Sequence, residues 1–65
     1  MTKQVLEKLP VNVFMAIENL RDNYHSENQN KSEVRARLAG YVKGLSDAGL
    51  ITEQERKTLF IYGTI

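Results

Sequence analysis

The chain has no cysteine, no tryptophan, one histidine, one proline and four glycines in 65 residues. Without cysteine there is no disulfide, no thiolate zinc site and no thiol nucleophile. An excess of either charge is missing too. Nine Lys and Arg stand against eight Asp and Glu, a formal net charge of +1. A protein held to nucleic acid mainly through phosphates carries more positive excess than this. No apolar run approaches the roughly 20 residues of a membrane span. The longest one near the start, Val13–Ile17, is too short for the core of a signal peptide. A cytoplasmic chain without membrane contact is expected. This length gives one domain and little room for a walled cleft. The chain is therefore not expected to be an enzyme, and no catalytic residue, cofactor or metal ligand is assigned. A domain this small, without staples, buries little of its surface, and self-association is a common remedy.

What the sequence does have is helical patterning. Val5, Leu6 and Leu9 make a short stripe that Pro10 ends, since proline lacks the N–H but suits the first turn of a new helix. This predicts a short helix over Lys3–Lys8, capped by Thr2, and a longer one from about Pro10. In the longer one, Val13, Phe14, Ile17, Leu20 and Tyr24 share a face and Asn12, Glu18, Asn19 and Asp22 lie opposite. The polar run His25–Lys31 reads as a loop. Ser32 is the expected N-cap of the next helix, with Glu33 in its first turn. Val34, Leu38, Tyr41, Val42 and Leu45 give the strongest helical period in the chain. That helix should run to about Ala48, with Gly49 as its left-handed end. Thr52 and Glu55 have capping-box spacing, so a last helix is expected from Glu53 to about Tyr62, ended by Gly63. A strand over Thr58–Tyr62 is the alternative, but it would lack a partner.

The expected fold is all-α, a single domain over residues 1–65. It is a small three- to four-helix bundle, with a short N-terminal helix, two long antiparallel helices and a short C-terminal helix. The expected core is Val5, Leu9, Val13, Phe14, Ile17, Leu20, Val34, Leu38, Val42, Leu45, Leu50, Ile51, Leu59 and Phe60. Tyr24, Tyr41 and Tyr62 should lie at its margin with their hydroxyls in water.

One constellation stands out. Ala36, Gly40, Gly44 and Ala48 fall four apart and form a ridge without bulk. Interior glycines cost a helix roughly 1 kcal/mol each relative to alanine. Close approach of another backbone is the usual compensation. The other backbone could be the first long helix of the same chain or the same ridge of a second copy. A further interface is expected at the C-terminal end. Leu59–Tyr62 are four consecutive bulky apolar residues, which a helix spreads around about 300°. Ile61 or Tyr62 should therefore point away from the chain, and a homodimer would cover it.

Other groupings carry less. His25 is the only histidine and sits in a polar stretch, as a solvated side chain would. Glu18 and Asp22 share a turn beside Arg21 and read as a solvated face. Lys31, Arg35, Arg37 and Lys43 surround the third helix and could lie on phosphates, with Glu33 interrupting the run.

The stretch Leu45–Glu55, LSDAGLITEQE, resembles the L-x-x-x-G-x-I-T-x-x-E pattern of short C-terminal (SHOCT-type) helical modules. That resemblance implies helix-mediated oligomerisation. The same stretch is similar to the segment after the recognition helix of winged-helix DNA-binding domains, although Ser32–Gly49 has room for one long helix rather than two and a turn. The whole has the look of a small phage or plasmid accessory protein. The expected function is non-catalytic: an interaction or regulatory protein that binds a protein partner through its helices, with a homodimer as one form. The alternative is a small DNA-binding transcriptional regulator of a phage or plasmid, using the basic residues around Lys31–Lys43.

Overall fold

A computed structural model describes residues 2–65. It contains four helices: α1 (Thr2–Glu7), α2 (Val11–Tyr24), α3 (Lys31–Asp47) and α4 (Glu53–Thr64), with no strand among the described residues. Thr58–Tyr62 is therefore helical.

Each boundary has a local cause. Pro10 is the N-cap of α2 at φ −55° and ψ 150°, an extended geometry that separates α2 from α1. Thr2 lies within α1 rather than before it. The cap of α3 is Asn30, not Ser32: its Oδ1 accepts from the Glu33 amide at 3.3 Å. Asn caps as well as Ser does, and starting earlier gives α3 one more residue pair ahead of Val34. At the far end Gly49 adopts φ +80°. The Leu50 amide donates to the Leu45 carbonyl and the Gly49 amide to that of Ser46, both at 3.0 Å. This is a Schellman ending, the turn that Gly49 permits. Thr52 and Glu55 form the reciprocal capping box: Thr52 Oγ1 accepts from the Glu55 amide at 3.1 Å, and Glu55 Oε1 from the Thr52 amide at 2.8 Å.

The buried core is Val5, Leu9, Val13, Ile17, Tyr24, Val34, Leu38, Val42, Leu45, Ile51 and Leu59. Phe14, Leu20 and Phe60, expected within it, pack against it half-buried. Leu50 is the clear departure, at 48% exposure. It closes the Schellman turn, and only its neighbour Ile51 faces inward.

Two tyrosines also depart from expectation. Tyr24 is buried, and its hydroxyl accepts from Arg35 Nη2 at 3.0 Å rather than facing water. The hydroxyl of Tyr62 donates to Glu18 of α2. That carboxylate, and then burial, raise the phenol above its ordinary 10.0. Arg21 reinforces the join, with Nε donating to the Tyr62 carbonyl at 3.1 Å and its guanidinium over the Tyr62 ring.

The fourth helix is more than a short piece laid across a hairpin. It touches each of the other three helices. It also continues through Gly63, which is buried. A Cβ at Gly63 would overlap Leu38 Cδ2 and meet Leu38 Cδ1 and Cγ at 3.4 Å. Glycine does not stop α4. It lets α4 lie close against α3.

Two carboxylates at the start of α4 make folding sensitive to acid. The Arg56 guanidinium holds Glu53 below its ordinary 4.5. Lys8, and after it the Thr52 amide, do the same for Glu55. A lowered folded value means stabilisation that is in place above 4.5 and is lost as pH falls through the folded value. Thermal melts should therefore fall in this acid range, and Glu55→Gln should show a shallower acid decline than the wild type. Equal slopes would mean that Glu55 does not contribute.

Candidate functional site

The outward face of α3 is the surface the folding pattern leaves unexplained. The helix turns Val34, Leu38, Val42 and Leu45 into the core. At roughly 100° per residue, Gly40 lies about 160–200° from Leu38 and Val42. Ala36, Gly40, Gly44 and Ala48 are all exposed accordingly. A Cβ added at Gly40 or Gly44 would meet nothing within 4 Å. The ridge therefore does not pack against α2, contrary to the intramolecular reading of the spacing. The period that buries the apolar stripe puts the small residues on the opposite side. The glycine that does permit a close helix contact is Gly63.

Charged pairs flank this face. Arg37 meets Glu33 at 2.6 Å and Lys43 meets Asp47 at 3.3 Å, each one turn apart on α3. Such exposed pairs add only tenths of a kcal/mol, but they leave the face locally neutral.

Each of the four basic residues is exposed and has a partner within the chain. Lys31 Nζ donates to the Tyr24 carbonyl at 2.5 Å and sits 4.7 Å from the centre of its ring. Arg35 holds the Tyr24 hydroxyl. Arg37 and Lys43 are engaged with Glu33 and Asp47. The sequence places these bases on α3 but does not announce Tyr24, the partner of Lys31 and Arg35. Tyr24 and Lys31 flank the loop, and the helical hairpin brings them together.

Ile61 and Tyr62 part company. Ile61 is 57% exposed, while Tyr62 is half-buried against α2 through Glu18 and Arg21. Ile65, one turn beyond Ile61, is also exposed. His25 is exposed, with its ring edge-on to Tyr24. Glu18 and Asp22 are separated in role: the first accepts from Tyr62, while the second is exposed. No group of three or more metal-ligating side chains occurs among the described residues, and none of their helices is long and apolar enough to cross a membrane. Compared with family models, curated proteins and solved structures, the chain matches none of them.

Proposed function

We propose that the chain is a non-catalytic interaction protein that binds a partner helix through the outward face of α3, with a second copy of itself as the partner that face fits best. The observation that carries this reading is the exposure of Gly40 and Gly44 within a helix. Each weakens α3 by roughly 1 kcal/mol relative to alanine, and no contact within the chain needs the missing side chain. A compensating contact outside the chain accounts for both. Small residues four apart let a second backbone approach closely. The neutral pairs Glu33–Arg37 and Lys43–Asp47 put no net charge on the face to repel a copy of it. Ile61 on α4 supplies a separate apolar contact, with Tyr62 beside it. The resemblance of Leu45–Glu55 to oligomerising helical modules points the same way. Amide NMR spectra compared between millimolar and low micromolar chain test the reading. Shifts on dilution should concentrate at Ala36, Gly40, Gly44 and Ala48, and unchanged spectra would contradict it.

The alternative, a DNA-binding regulator using Lys31, Arg35, Arg37 and Lys43, has less support, because each of those side chains already has a partner in the fold. Titration with random duplex DNA at low salt should show no saturable binding. Tight binding that weakens steeply with salt would favour the DNA reading instead.

A further inference from the structure

We draw no further inference here: the strongest candidate, the open apolar groove of about 670 Å³ where α1, α2 and α4 meet, with Leu6, Val11, Phe14 and Tyr62 in its lining, carries nothing because nothing in the structure shows what covers it.

Discussion

Replacing Gly63 with leucine should destabilise the protein by on the order of 1–3 kcal/mol, the cost of overpacking a filled core. Even the first added carbon overlaps the Leu38 side chain. Leu38 has no exposed surface of its own, and Val34, Val42 and Leu59 are as deeply buried, so it has little space into which to move. At about 4–8 °C per kcal/mol for a domain near this size, the loss is easily read in a thermal melt. The paired control is Leu38→Ala. Alone it should cost about 2–5 kcal/mol through the cavity it leaves. Combined with Gly63→Leu it should cost clearly less than the sum, because the new side chain fills the space. Additive losses would mean that the α3–α4 approach does not depend on Gly63.

Alanine at Gly40 and Gly44 should do the opposite. Both sites are open helix surface, and each substitution should stabilise the monomer by up to about 1 kcal/mol through helix propensity alone. Together they make the second large effect, a rise in denaturation midpoint with no change in the denaturant slope. Gly44→Leu should leave the monomer folded for the same reason, since nothing lies within reach of the added bulk. A marked loss of monomer stability on either alanine substitution would place Gly40 or Gly44 against something within the chain.

These opposite expectations for glycines in neighbouring helices show how far the sequence could be read. The four helices and several of their ends were legible because local chemistry sets them: the Thr52–Glu55 box, the left-handed Gly49, the break at Pro10. Other ends were not: Asn30 rather than Ser32 caps α3, Thr2 lies within α1, and α4 runs on through Gly63. The inward stripe of α3 was equally plain. What periodicity could not tell was the role of each glycine. A small residue signals close approach only if something lies opposite it. At Gly63 the opposite atom belongs to Leu38, twenty-five positions away, and no local pattern announces that. At Gly40 the ridge was visible, but its direction depended on which stripe the bundle buries. Leu50 and Tyr24 misled for related reasons. Leu50 occupies a turn whose geometry turns it out. Tyr24 is covered by Lys31 and Arg35, which the hairpin folds back over it. The ridge is the part of the candidate site that was legible as a spacing. Its exposure comes from the fold.

Sedimentation equilibrium over a wide concentration range, on the native chain and on Gly44→Leu in parallel, tests the central claim most directly. The native chain should associate reversibly. Gly44→Leu, still folded, should associate several-fold more weakly, because leucine holds the two α3 backbones apart. A native chain that stays strictly monomeric at high micromolar concentration would contradict the account, and so would a Gly44→Leu chain that associates as well as the native one.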